Sequence, residues 1–206
     1  MIINISGPAS TGKTSLWETL KQHRPLIGAI CGREIEFVPE SIREVVRTNM
    51  SKYNADNLKD LFADLDKTLR LQFDITFFNY GLYRRLAEDR AKVFICDRGP
   101  LDNYIYTFLR YATASKAKQS KYIFEFQRSC NLNKIIMPCV DLHFATSIFY
   151  SGGVVEDDGF RPEFDRCFYM QECELFGNML RDAIKLPSDS DERLVTFFEV
   201  LRGEFN

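Results

Sequence analysis

The feature that most narrows what this chain can fold into is Gly7-Pro-Ala-Ser-Thr-Gly12-Lys13-Thr14. It fits G-x-x-x-x-G-K-[ST] at every fixed position. A short apolar run over 2–6 precedes it, and a helical pattern begins at the lysine. The spacing therefore predicts a strand, a tight turn and a helix in succession. Glycines at 7 and 12 let the turn curl so that its backbone N–H groups point inward. The following helix starts with unpaired N–H groups and the positive end of its dipole. Together they form a cradle for polyphosphate. Lys13 is expected to reach the β- and γ-phosphates, and the Thr14 hydroxyl to ligate Mg²⁺.

The rest of the chain supports an alternating fold. Further strands are expected over 34–39, 93–96 and 140–145, with a short last one at 184–187. The run 93–96 has no polar alternation, as suits a central parallel strand covered on both faces. Helices are expected over 13–22, 41–48, 57–89, 101–114, 122–131 and 163–185. A terminal helix, capped by Ser188, should run to about Leu201. The segment 115–121 reads as a polar, basic link, and 151–165 as a loop rich in glycine and charge. Strands alternating with helices predict an α/β fold, a mostly parallel sheet with helices on both faces. No repeat or linker divides it, so residues 1–206 are expected to form one domain.

Ligand crevices in such sheets lie beyond the carboxyl ends of the strands. The strand over 93–96 runs into Asp97-Arg98. Beside the first strand, Asp97 would stand near the metal and the γ-phosphate, and Arg98 would face the phosphates or the acceptor. The competing role for Asp97 is to cap the next helix. Glu40 and Arg43 follow the second strand on one helical face. A carboxylate there can take a proton from an attacking hydroxyl. Glu36 competes for that role if the strand ends early, and Arg43 could simply pair with a neighbouring carboxylate. A glycine-containing lid over about 151–166 carries Arg161 and Arg166. These could close over a triphosphate and neutralise developing charge, or pair locally with Glu156, Asp157 or Asp165.

Other functions are disfavoured. The formal net charge is -2, which opposes a polyanion-coating role. DNA would need the local basic patch over 110–128, with Arg110, Lys116, Lys118, Lys121 and Arg128. Six cysteines without a C-x-x-C pair, and only two histidines, speak against zinc and for free thiols in a reducing cytoplasm. His143, in an apolar strand, reads as a core histidine. The start of the chain reads as a strand and not a signal peptide, and no apolar run reaches the ~18 residues of a membrane span. The expected partner is a nucleoside- or nucleotide-like small molecule, with DNA and a homodimer as alternatives.

Four segments in order resemble a known family: 7–15 (GPASTGKTS), 38–44 (VPESIRE), 96–102 (CDRGPLD) and 158–162 (DGFRP). They look like the P-loop kinases that include the ribosylnicotinamide kinase domain of bacterial NAD-regulatory proteins and related AAA-like ATPases. The resemblance implies a three-layer α/β/α P-loop NTPase fold with a five-stranded parallel sheet in the order 2-3-1-4-5. It implies ATP with Mg²⁺, held by Gly7, Ala9, Ser10, Thr11, Gly12, Lys13, Thr14 and Ser15, and a lid containing Arg161. It implies an acceptor near Glu40, Arg43, Asp97 and Arg98, with Asp102 at the end of the same segment. The stretch 188–193, ending in Arg193, looks like the adenine-side turn of nucleotide kinases. The acceptor is left open: a nucleoside- or nucleotide-like hydroxyl, a hydroxymethylated base in DNA as for bacteriophage kinases, or none, as in a regulatory ATPase or GTPase. Asp-Arg-Gly stands where deoxynucleoside kinases more often carry an acidic residue, Arg and Ser.

Overall fold

The computed structural model describes residues 1–8, 11–55, 58–146 and 166–205. Strand β1 (Ile2–Ser6) leads into helix α1 (Lys13–Gln22), then α2 (Arg24–Cys31), strand β2 (Glu34–Val38) and helix α3 (Ser41–Asn49). Helices α4 (Leu58–Ala63) and α5 (Leu65–Glu88) follow, then strand β3 (Lys92–Asp97) and helices α6 (Pro100–Ala112), α7 (Lys116–Lys121) and α8 (Ile123–Ile136). Strand β4 (Leu142–Ala145), helix α9 (Arg166–Met179), strand β5 (Ile184–Lys185) and helix α10 (Ser190–Phe205) complete the described chain.

The five strands form one sheet in the order β2-β3-β1-β4-β5, and every pairing is parallel. This is the architecture anticipated. Alternate residues of each central strand enter opposite cores. Ile3, Ile5, Val93 and Ile95 pack with Leu16, Trp17, Leu20, Ile27, Phe197 and Leu201, from α1, α2 and α10. Ile2, Phe94 and Cys96 pack with Tyr83, Leu86 and Ile136, from α5 and α8. Burial on both faces is why β1 and β3 read as unbroken apolar runs. The indole N–H of Trp17 donates to the Ile95 carbonyl at 2.9 Å, which fixes α1 across β3.

Several local boundaries differ from expectation. The helix over 57–89 is broken at Asp64, whose carboxylate accepts from the amides of Asp66 (2.8 Å) and Lys67 (3.2 Å) and so starts α5 afresh. Helix α2 was not anticipated. Pro25 stands in its first turn, where a missing N–H costs nothing. The link over 115–121 is α7, capped by the Ser115 hydroxyl. The terminal helix starts two residues later than its expected cap. Asp189, not Ser188, accepts from the amides of Asp191 and Glu192 at 2.9 and 3.0 Å.

The register brings the functional ends together. Ile5 lies opposite Asp97, Ser6 opposite Ala145, and Val38 opposite Cys96. The ladders continue past the strands: Arg98 N–H donates to the Ile5 carbonyl and Thr146 N–H to the Ser6 carbonyl, each at 3.0 Å. The loops after β1, β3 and β4 therefore leave the sheet side by side.

Among the described residues no helix is long and apolar enough to cross a membrane. Replacing the α5 cap, Asp64→Ala, is expected to lower the free energy of unfolding by about 1 kcal/mol in a urea titration. An unchanged midpoint and slope would remove the cap from the account of this break.

Candidate functional site

The loop after β1 is shaped by what surrounds it. At Gly7, with φ +149°, a Cβ would lie 2.3 Å from the Thr146 hydroxyl. Gly12 is in the left-handed region at φ +80° and stands at the N-terminus of α1. No side chain caps that terminus, and no acidic residue occupies its first turn. The first amides of α1 thus meet the requirements of an anion site. Ala9 and Ser10 lie outside the described residues.

Buried side chains brace this loop from below. Asp102 accepts from the Gly7 amide at 3.3 Å and from the Gly99 amide at 3.1 Å. Thr11 donates to the Pro8 carbonyl at 2.8 Å, and its hydroxyl meets that of Thr146 at 2.6 Å. Arg193 is only 4% exposed. Its guanidinium donates to the carbonyls of Thr11 (3.1 Å), Pro187 (2.9 Å) and Ser188 (3.1 Å). It ties the turn before α10 to the loop through backbone carbonyls.

Lys13 is buried, and its ammonium donates to the Pro8 carbonyl and, at 3.4 Å, to the Thr11 hydroxyl. Burial, with Arg98 adding repulsion, lowers its pKa from 10.5 to about 7, although Asp102, Glu172 and Glu40 pull the other way. A polyphosphate would supply the counter-charge this ammonium lacks.

Beside the lysine, the Thr14 hydroxyl donates to Asp97 Oδ2 at 2.9 Å. Asp97 is 2% exposed, and its other oxygen has no hydrogen-bond partner among the described residues. An orphaned, buried carboxylate oxygen next to a threonine hydroxyl fits Mg²⁺, which takes few protein ligands and completes its shell with water and phosphate. No cluster of three or more metal-ligating residues occurs among the described residues. His143 lies in β4, where burial pushes its pKa down, in keeping with a core histidine.

On the far side of Asp97, Arg98 has φ +66°, rare for a residue with a side chain. Its Nε lies 2.8 Å from Glu40 Oε1, an ion pair in which the N–H is not aimed at the carboxylate. Its Nη1 donates to the Tyr106 hydroxyl at 3.1 Å, and that hydroxyl donates to Glu172 Oε1 at 2.6 Å. Glu36, the competitor of Glu40, is instead paired with Lys92 at 3.0 Å.

The structure thus brings Gly7, Thr11, Gly12, Lys13, Thr14, Glu40, Asp97, Arg98 and Asp102 to one end of the sheet. Asp102, expected at the acceptor, is instead spent on the loop amides. Ser15 is exposed on α1, where its carbonyl accepts from Thr19. Arg43 lies in α3 and Arg166 opens α9, and the side chains of both lie outside the described residues, as does Arg161. Thr146, Tyr106 and Glu172 were missed. Tyr106 stands one helical turn after Asp102, and that polar pair on an otherwise apolar α6 face was the available signal. In the basic stretch, Lys118 and Lys121 turn to Asp66 at 3.4 and 3.2 Å, and Arg128 lies over the Phe77 ring.

Comparison with known proteins bears on the fold that carries this site. A family model described as AAA domain covers residues 2–185. Among solved structures, the chain is similar to the deoxyadenosine kinase from M. mycoides with its products dCMP and dCDP bound, at 12% identity and TM-score 0.63, covering 98% of this chain and 100% of that one. The same enzyme with bound dCTP gives 13% and 0.59, with the same coverage. Thymidylate kinase from Ehrlichia chaffeensis gives 16% and 0.60, covering 98% of each chain. At these identities the likeness establishes the fold. A search of curated proteins gives no match.

The depressed lysine makes a signed prediction. Between about 7 and 10.5 the unfolded chain holds a proton on Lys13 that the folded, nucleotide-free chain lacks, so this group's contribution to stability rises with pH across that window. Nucleotide binding has the opposite sign, because phosphate favours the ammonium. Mg²⁺-ATP binding should take up a proton above pH 7, read as a buffer-dependent heat, and should weaken toward pH 9. Lys13→Met should abolish the uptake. Uptake that survives in that variant would assign the proton to another group.

Proposed function

The chain belongs to the AAA domain family, and we propose that it is a small ATP-dependent kinase that transfers the γ-phosphoryl group to a hydroxyl of a nucleoside- or nucleotide-like acceptor. One observation carries this reading. The Glu40–Arg98 ion pair stands at the strand ends next to the Thr14–Asp97 pair, so a carboxylate and a guanidinium face the place where a γ-phosphate on this loop would lie. A nucleotide-binding switch needs the loop and the metal pair. A switch that does not hydrolyse needs no base or cation beyond these, whereas one that hydrolyses would aim the same carboxylate and guanidinium at water, so a panel of acceptors separates it from a kinase.

The chemistry assigns a role to each group. The amides of the loop and of α1 hold the phosphates, and Lys13 spans their oxygens. Thr14 and Asp97 are the residues that would hold Mg²⁺, whose charge offsets that of the phosphates when bound. Glu40 turns from Arg98 to the acceptor hydroxyl and takes its proton as the oxygen attacks phosphorus. The bond to the bridging oxygen breaks, and ADP leaves with the electron pair. Arg98 faces the equatorial oxygens. Arg161 and Arg166 belong to the proposed lid over 151–166, which would exclude water. Arg193 serves the nucleotide by fixing the Thr11 carbonyl.

The same reading places the protein in the cytoplasm, consistent with free thiols at Cys31, Cys96, Cys130, Cys139 and Cys173 among the described residues. DNA as acceptor is disfavoured, because Asp66 already neutralises part of the basic stretch. The test is phosphoryl transfer from labelled ATP to a panel of nucleosides, nucleoside monophosphates and oligonucleotides with a hydroxymethylated base. Lys13→Ala should lower transfer by at least about 100-fold, and Glu40→Gln by about 10²–10⁴-fold, with the melting temperature held. Release of inorganic phosphate alone, across the whole panel, would replace the kinase with a hydrolysing regulatory module.

A further inference from the structure

Glu172 is fully buried on α9, where so far it has entered only as one of the carboxylates that favour the Lys13 ammonium and as the acceptor for Tyr106. Its helix is seated on α6 by apolar contacts. Phe176 and Leu180 pack with Leu101, Ile105 and Leu109, and the Phe176 ring meets that of Tyr106 edge-on at 6.0 Å. Glu172 lies one turn before Phe176 on this packed face. Packing alone asks for an apolar residue there, because a buried carboxylate costs several kcal/mol unless it is paired and hydrogen-bonded.

The contacts of Tyr106 supply the reason for a charge. Arg98 can only donate and a carboxylate can only accept, so the one hydroxyl proton of Tyr106 is forced toward Glu172 and its lone pairs toward Arg98. Arg98, Tyr106 and Glu172 thus form a directed hydrogen-bonded chain, which the ion pair extends to Glu40 just before α3. Arg98 sits between a carboxylate in direct contact and a second one reached through a phenol. The Arg98 carbonyl also accepts from the Tyr83 hydroxyl at 3.3 Å, so its backbone is held while its side chain depends on these partners.

We propose that Glu172, acting through Tyr106, is a positioning residue that fixes the Arg98 guanidinium independently of Glu40. The inference rests on the phosphoryl-transfer reading for its purpose. When Glu40 leaves the ion pair to take the acceptor's proton, Arg98 loses its direct counter-charge. Held from the other side, it keeps its place at the phosphoryl group instead of following the base. The relay also ties Arg98 to α9, so a displacement of that helix would be felt at the reacting end of the sheet.

The test uses Glu172→Gln, which can still accept from Tyr106 but carries no charge, and Tyr106→Phe, which cuts the link. Both should leave the KM for ATP within about twofold while lowering kcat, by about tenfold for the first and more for the second, which is the signature of an interaction that matters after binding. Wild-type kcat in both variants would overturn the relay while leaving the kinase reading intact. A parallel measurement needs no turnover. A double-mutant cycle of Arg98→Lys with Glu172→Gln, read by urea unfolding of the nucleotide-free protein, should be non-additive by about three- to tenfold in the unfolding constant, and additive once Tyr106 is Phe. Additivity with Tyr106 present sinks the relay. Wild-type protein that transfers nothing but shows the coupling sinks the kinase reading and keeps the relay.

Discussion

The carboxylate of Asp102 spans the loops that follow β1 and β3, taking one backbone amide from each. Everything else at the site presupposes that clasp. The parallel ladder delivers the two strand ends in register, but a ladder stops where the strands stop. Beyond it, Gly7 begins the phosphate loop and Gly99 begins α6. Without a shared acceptor their amides would be buried donors with no partner, each costing about 1–3 kcal/mol. With it, the loop that carries Lys13 and the segment that carries Arg98 become one rigid unit. Thr146 extends the same logic to β4, and Arg193 to the turn before α10.

Rigidity matters because the site holds charges that the nucleotide-free protein must tolerate. Lys13 is buried against a carbonyl and a hydroxyl, with Arg98 raising its cost. Arg98 occupies a left-handed backbone conformation that costs roughly 1–3 kcal/mol for a residue with a Cβ. Its amide is fixed by Ile5 and its carbonyl by Tyr83. Strain and desolvation of this kind persist only where surrounding contacts over-determine the geometry. On the proposed reading these cations stand where a polyphosphate would lie, and its binding would relieve a cost that folding has imposed.

Much of this could be read from the chain alone, for identifiable reasons. The phosphate loop is local: its glycines, lysine and threonine are contiguous. The apolar run into Asp97-Arg98 is local too, and the parallel fold brings its end beside the loop. Glu40 could be placed because it follows a strand that opens on the same crevice. What escaped depends on distance in sequence. Thr11 meets Thr146 across 135 positions, Arg193 meets Thr11 across 182, and Tyr106 meets Glu172 across 66. No periodicity within one helix reports such partners. Asp102 misled for a related reason. As a carboxylate near Asp97-Arg98 it reads as a substrate contact, and only the fold shows both its oxygens committed to amides. The break at Asp64 was legible in principle, since an Asp with a second Asp two residues on, in the first turn, is a helix-start signature, but the apolar spacing ran through it.

The same distinction separates what the fold decides from what it leaves to the helices. A sheet of this order can serve many acceptors, so likeness to a deoxyadenosine kinase and a thymidylate kinase at 12% and 16% identity bears on the fold and leaves the acceptor open. On the proposed kinase reading, acceptor choice would come from α5, α6 and α8. Between them runs a buried polar seam: Thr76 donates to Asn103 at 2.7 Å and meets Ser129 at 2.7 Å, while Asn103 donates to Gln72 at 2.9 Å. These groups spend their hydrogen bonds on one another, so they fix the spacing of the helices and are poor candidates for reading a base. On that reading, discrimination between acceptors would fall to side chains at the rim of that seam, near Glu40 and Tyr106, where the helix faces meet the strand ends.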